Sequence, residues 1–242
     1  AKGKYIQYLD SDDFLQENAI EYLTDKAEAT NAEVVAAPFF FYYSENKMDI
    51  SGHFSFQEMT GMEYFNEILS GRAYWSVWSN FLSRSLFERN DISFVPEISF
   101  GEDAILMVQL LYHTQKVVAL EQPILYYRQI ESSICHDITP KRHEDLRTYT
   151  KWIERFMIEK GLYESYRNNL ILKNIEMAFL CMHWGYYENA DKDMKRIVKD
   201  IKKRPQLLKC LPGRQRKIIK VYRFSSWLGF LNLMHYKKQG KL

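Results

Sequence analysis

Cysteine is scarce: Cys135, Cys181 and Cys210 lie far apart and outside any Cys-x-x-Cys spacing. That argues against a disulfide framework or a structural zinc site, and makes a reducing compartment the simplest setting. Glycine and proline, 10 and 6 of 242 residues, are too few for collagen-like, linker-rich or low-complexity chains. No internal repeat is visible. Long apolar runs are missing as well; the longest, Ser226 to Met234, falls short of the roughly 20 residues a bilayer span needs. The first residues, Ala1-Lys2-Gly3-Lys4, lack a methionine, so the missing signal peptide says nothing of what precedes them.

What is present points to a packed domain. Hydrophobic residues make up 46% and charged residues 26%, with 17 Tyr among the aromatics. The net charge of +2 excludes a uniformly basic nucleic-acid coat. It also hides an asymmetry. From Lys195 to Leu242 there are 15 Lys/Arg and one acid, Asp200, a charge of +14, whereas the preceding residues carry 18 bases and 30 acids, a charge of −12.

Tyr5 to Leu9 reads as a short buried strand running into an acidic loop, and Ala19, Ile20, Leu23 and Ala27 mark a helix from about Glu17 to Ala29. Val34 to Tyr43 reads as a further strand. Thr60 is placed to N-cap a helix from Gly61 to Leu69, the aromatic segment Tyr74 to Trp78 follows, and a short helix is expected near Ser85 to Arg89. Glu102 to Tyr112 opens on two acids and is otherwise strongly apolar apart from Gln109, a buried helix. Lys116 to Leu120 and Ile124 to Arg128 read as strands. After Thr139-Pro140 the pattern is helical to Tyr236, broken at Gly161, near Gly185, at Pro205 and at Leu211-Pro212-Gly213. The expected organisation is an α/β part over 1–137 and an all-helical appendage over 138–242.

Asp10-Ser11-Asp12-Asp13 sits where the first strand ends, the place at which open α/β sheets put ligands. Alternate carboxylates there can present oxygens to Mg²⁺ or Mn²⁺ and so neutralise a diphosphate. An acidic turn that merely caps the next helix is the competing account. Asp103, at the start of a helix, is equally suited to be a base or a first-turn charge.

The segment Lys2 to Asp13 resembles the metal-binding segment of glycosyltransferase family 2, enzymes of the GT-A fold. Gly101-Glu102-Asp103, about ninety residues on, is similar to the Glu-Asp pair that opens that family's acceptor-side helix. Tyr126-Tyr127-Arg128-Gln129 with Ser132-Ser133-Ile134 resembles the segment after its last core strand. Gly71 to Arg84, with Trp75, Trp78 and Asn80, is similar to its acceptor-facing stretch, from which Ser79 and Phe81 depart. The resemblance covers Ala1 to about Asp137 and implies the C-terminal half of a GT-A-like nucleotide-diphospho-sugar transferase domain, followed by helices.

It further implies an inverting, metal-dependent transfer from a nucleotide-diphospho-sugar to a hydroxyl of a glycan or lipid-linked acceptor, in the synthesis of cell-surface polysaccharide or glycoconjugate. Asp103 is then the catalytic base, and Asp12 with Asp10 holds Mn²⁺ or Mg²⁺. Asp10, Asp13, Arg128, Ser132 and Ser133 would contact the donor, with a salt bridge or a solvated surface the other account of Arg128. Glu102, Trp75 and Trp78 stand on the acceptor side, core packing being the other account of the tryptophans. His136 is a further candidate metal ligand, although a lone histidine is more often structural. Family members open on a mononucleotide-binding half of roughly 80 to 100 residues that has no counterpart here. The expectation is an N-terminally truncated chain, inactive by itself.

The basic tail reads as an amphipathic element whose apolar positions run from Ile218 and Ile219 through Tyr222, Phe224, Trp227, Leu228, Phe230 and Leu231 to Met234. It suits an anionic membrane surface, placing the chain in the cytoplasm or peripherally at the inner face of the plasma membrane. A helix packed on the remainder with its cations solvated is the alternative, and nucleic acid is not an expected partner. Two other functions compete: a non-catalytic helical adaptor binding a membrane or partner, and an Asp-x-Asp phosphohydrolase of the dehalogenase type. Against the second, Asp12 is followed by Asp13-Phe14, and no lysine-bearing third motif is evident.

Overall fold

A computed structural model of the chain describes residues 1–54, 56–96, 98–130 and 139–238. In order these form β1 (Tyr5–Gln7), β2 (Phe14–Leu15), α1 (Ala19–Thr30), β3 (Val34–Ala36), β4 (Phe40–Ser44), β5 (Lys47–Ile50) and β6 (Glu58–Met59). Next come α2 (Gly61–Leu69), a 3₁₀ turn (Val77–Ser79), β7 (Asn80–Ser83), α3 (Arg84–Asn90), α4 (Glu102–His113), β8 (Val117–Ala119) and β9 (Leu125–Arg128). The helical remainder is α5 (Pro140–Glu159), α6 (Tyr163–His183), α7 (Tyr187–Lys203), a 3₁₀ turn (Pro205–Cys210), α8 (Gly213–Phe224) and α9 (Ser226–Lys238).

The chain divides into two compact units, Ala1–Ile153 and Glu154–Leu242. The division falls inside α5 and not near Asp137, which lies outside the described residues. The reason is local: Leu146 and Tyr149 of α5 are buried in the first unit, and Asp145 accepts hydrogen bonds from Ser99 N at 3.1 Å and Ser99 Oγ at 3.0 Å. Thr139 caps this helix as its sequence suggests, accepting from Arg142 N at 3.3 Å.

In the first unit the strands make two sheets, ordered β1-β7-β3-β8-β6 and β2-β9-β4-β5. β7 runs antiparallel to β1 and to β3, and β8 is parallel to β3. β1, β3 and β8 therefore point the same way and end on one edge of the first sheet. From that edge each crosses into the second sheet, β1 to β2 through the acidic loop, β3 to β4 through Ala37-Pro38-Phe39, and β8 to β9 through residues 120–124. Val34 to Tyr43 is accordingly two strands and not one. Pro38 has no N–H for a ladder, and the chain changes sheet there.

The core between α1 and the sheets is made of Leu23, Ala27, Val35, Phe39, Phe81, Val118 and Leu125. α2 opens on a full capping box, with Glu63 N donating to Thr60 Oγ1 at 3.3 Å and Thr60 N to Glu63 Oε2 at 2.7 Å. α4 is apolar nearly all round, with Ile105, Leu106, Met107, Val108, Leu110 and Leu111 wholly buried, as befits a helix enclosed on several sides. In the second unit Ile171, Ile175, Met194, Ile197, Ile201, Ile218 and Leu233 fill the interior. No strand follows Arg128 among the described residues.

Candidate active site

Open α/β sheets bind ligands beyond the C-terminal ends of their strands, which here is the edge where β1, β3 and β8 finish. The loop after β1 turns at once: Asp13 N donates to Asp10 O at 3.1 Å. This leaves Asp10 open to solvent and Asp12 partly so, while Asp13 is buried. Because β7 is antiparallel to β1, its N-terminal end lies at the same edge. Gln7 ties the two together, its Nε2 donating to Trp78 O at 2.6 Å and to Tyr8 O at 2.8 Å.

The 3₁₀ turn before β7 is shaped by a polar cluster. Ser79 Oγ donates to Ser76 O at 3.0 Å, and Asn80 Nδ2 donates to the same oxygen at 2.9 Å. The turn presents Val77 N–H, which donates to Oδ2 of Asp103 at 3.0 Å. Asp103 sits in the first turn of α4, and the glycine before Glu102 has φ +88°. A side chain at Gly101 would run into the Tyr149 ring of α5, so the sharp entry into α4 needs glycine for both conformation and space.

Loss of water sets the electrostatics of this edge. Burial pushes Asp103 up to about 7; the Val77 N–H opposes the rise, and the charges of Glu102 and Asp10 add to it. Glu102 is raised by burial, and the charges of Asp10 and Asp145 push it the same way. Asp10 is raised by lost hydration and by Asp12. Tyr8 is raised by burial and by the Asp103 charge. Two motifs about ninety residues apart in sequence thus share one electrostatic environment, in which negative charge is crowded. A partly buried acid at such a pKa, held by a backbone donor, is suited to take a proton near neutrality.

Several sequence expectations change. Asp13 faces inward, its Oδ1 accepting from Arg128 N at 2.9 Å while Oδ2 is buried. Burial raises this carboxyl to about 6 against the pull of that hydrogen bond. It ties the acidic loop to β9 and is not an open donor contact. Arg128 enters the site by its backbone, its side chain being exposed. Trp78 belongs to the core, stacked on Tyr127 at 5.1 Å and edge-on to Phe39 at 4.7 Å. Trp75 is half-buried, edge-on to Phe65 at 5.9 Å, with its indole Nε1 buried and lacking a protein acceptor. Ser132, Ser133 and His136 lie outside the described residues.

Among the described residues no three His, Cys, Asp or Glu side chains gather as a metal-holding group. Asp10 and Asp12 lie within electrostatic reach of each other, and carboxylate oxygens are the donors a hard divalent cation takes. Val77, Gln7, Tyr8 and Asp145 escaped the sequence reading. The first acts through its backbone, Gln7 and Tyr8 lie in the predicted strand of the Lys2 to Asp13 segment with no chemistry of their own to mark them, and Asp145 lies in no motif.

Comparison with known proteins bears on this edge directly. Residues 1–92 match glycosyl transferase family 2. The match takes in the acidic loop and the Val77 turn, two of the four segments that carry the resemblance to this family. Among curated proteins, the uncharacterized glycosyltransferase EpsJ of Bacillus subtilis is 24% identical over 210 residues, 83% of this chain and 60% of that protein. The cholesterol galactosyltransferase of Borreliella burgdorferi is 24% identical over 179 residues, 69% of this chain and 49% of that protein. The chain therefore spans about half to three-fifths of the length of these relatives. In structure it is similar to S. aureus TarS in complex with UDP-GlcNAc, with a TM-score of 0.66 and 13% identity, covering 100% of this chain and 69% of TarS. That likeness shows the fold alone: a GT-A-like α/β arrangement followed by helices.

Proposed function

We propose that this chain carries the metal-side and acceptor-side half of a glycosyltransferase that moves a sugar, with inversion, from a nucleotide-diphospho-sugar to an acceptor hydroxyl. The observation that carries the reading is Asp103, held by Val77 N–H at 3.0 Å and within electrostatic reach of Asp10. Asp103 takes the acceptor proton as the oxygen attacks the anomeric carbon, and the nucleoside diphosphate leaves from the opposite face. Glu102 flanks the acceptor. Asp12 with Asp10 would hold Mn²⁺ or Mg²⁺, which supplies positive charge to the departing diphosphate. The UDP-GlcNAc bound by TarS supports a nucleotide-sugar donor, and the cholesterol galactosyltransferase supports a hydroxyl acceptor of glycan or lipid type. Synthesis of a cell-surface glycoconjugate fits such a pair.

The test uses the complete gene product with a panel of nucleotide sugars and Mn²⁺. Asp103→Asn is expected to lower kcat on the order of 10²- to 10⁴-fold with donor affinity largely kept. Asp12→Asn is expected to weaken donor affinity, with partial rescue by excess Mn²⁺. Equal effects of both changes on donor affinity would sink these roles.

A further inference from the structure

The α8–α9 pair has two apolar sides, and only one of them is used inside the protein. The tail reads in sequence as one apolar stripe, but the structure breaks it at Ser225, whose Oγ accepts from Leu228 N at 3.3 Å and starts α9. Ile218, Ile219 and Tyr222 of α8 are buried, as is Leu233 of α9. The helices meet where Gly229 lies against Tyr222, so closely that a Cβ at 229 would strike the ring. Tyr222 is anchored in turn, its hydroxyl donating to Asp191 Oδ1 at 3.1 Å.

On a soluble helix the side away from this packing is polar. On α9 it is not. Trp227, Leu228 and Leu231 are 67%, 38% and 45% exposed, and at spacings i, i+1 and i+4 they share the side opposite Gly229 and Leu233. Phe224, at the end of α8, is 86% exposed. It follows Lys217 and Lys220 at i+7 and i+4, so these two exposed cations and the phenyl ring share the outer side of α8. No acid occurs after Asp200. The acids preceding it on α7 are engaged in part, Asp191 by Tyr222 and Lys195, and Asp200 itself by Arg167.

We propose that this outer side of α8 and α9 is a docking surface for an anionic lipid bilayer. Trp227, Phe224, Leu228 and Leu231 would enter the headgroup region, and Lys217 and Lys220 would meet the lipid phosphates. The charge decides the occupant. A chain segment of +14 repels a second copy of itself, and exposed tryptophan and phenylalanine beside lysines are what an interfacial helix presents to an anionic bilayer. No helix among the described residues is long and apolar enough to cross a membrane, so the contact lies on the surface. The inference is independent of the sugar-transfer reading.

The experiment is co-sedimentation of the complete gene product with phosphatidylcholine vesicles, with and without phosphatidylglycerol. Binding is expected with the anionic vesicles, weakening as the Debye length shrinks from about 8 Å at 0.15 M salt to about 3 Å at 1 M. Lys217→Glu with Lys220→Glu should weaken it by about 10- to 100-fold. Phe224→Ser with Trp227→Ser should weaken it by about tenfold or more at constant charge. All four side chains are exposed, so circular dichroism should be unchanged. Three results would overturn the proposal: no binding to anionic vesicles, binding indifferent to Phe224→Ser with Trp227→Ser, or a concentration-dependent dimer that the serine pair abolishes. Failure here leaves the transfer assay unaffected, and loss of transfer leaves sedimentation unaffected.

Discussion

The backbone N–H of Arg128 donates to Oδ1 of Asp13 at 2.9 Å, joining the acidic loop of the first strand to the last strand of the second sheet. The acidic loop is also the point at which the chain passes from one sheet to the other. Asp13 therefore sets where Asp10 and Asp12 stand, even though its own carboxylate does not open on the cleft.

Replacing Asp13 by Ala should cost about 1–3 kcal/mol, because a buried N–H loses its acceptor. Asp13→Asn keeps an acceptor and removes a buried charge, so it should be close to neutral. Urea denaturation of the two variants measures the difference. Equal losses would mean that the carboxylate's charge, and not its hydrogen bond, holds the loop.

A second prediction concerns the entry to α4. Gly101→Ala places a methyl against Tyr149 at φ +88° and should destabilise the first unit by roughly 2 kcal/mol or more. Tyr149→Ala opens a cavity but removes the clash, so the double variant should be less unstable than the sum of the two single changes. Strict additivity in a double-mutant cycle would show that the ring does not confine this turn.

Much of this arrangement was legible in the residues. Thr60-x-x-Glu63, the apolar run from Ala104 to Leu111 and the Pro140 start are local signals, and the helices begin where those signals lie. The sheet was less legible. Val34 to Tyr43 looks continuous because both halves are β-branched or aromatic, and only its tertiary partners divide it between sheets. β7 was missed since Asn80 to Ser83 is too short for a period to show. The acidic loop and Asp103 were legible as motifs, but the group that aims Asp103 is the Val77 backbone N–H, which carries no sequence signature. Trp78 misled for a physical reason: an aromatic that serves a sugar and one that serves a core have the same composition and spacing, and burial alone separates them.

That separation gives a third prediction. Trp78→Ala should cost about 3–5 kcal/mol as a large core truncation, whereas Trp75→Phe should leave stability within about 1 kcal/mol and raise the KM for acceptor if the free indole N–H meets it. Thermal unfolding and acceptor titration read the two effects. A stable Trp78→Ala variant that loses only acceptor affinity would return that residue to the acceptor side.

The last prediction follows from Asp103, raised to about 7. Its folded-state pKa lies above its unfolded value near 4, so the folded chain binds this proton more tightly than the unfolded one. Stability is therefore greatest below about pH 4 as far as this group is concerned, and declines as pH rises through about 7, where the buried charge must form. Asp103→Asn removes that charge and keeps an acceptor for Val77 N–H. The variant should be more stable than the parent by roughly 1–3 kcal/mol at pH 8, and the gap should close toward pH 5. Denaturation at the two pH values measures this without any substrate. The rate should move in the opposite sense: kcat/KM of the complete gene product should climb with pH through about 7 as the base ionises. A cation bound by Asp10 and Asp12 favours the ionised form, so the corresponding rise in kcat should lie at lower pH than that in kcat/KM. If Asp103→Asn lowers stability at pH 8, the carboxylate is a structural anchor, and its place as the base is lost.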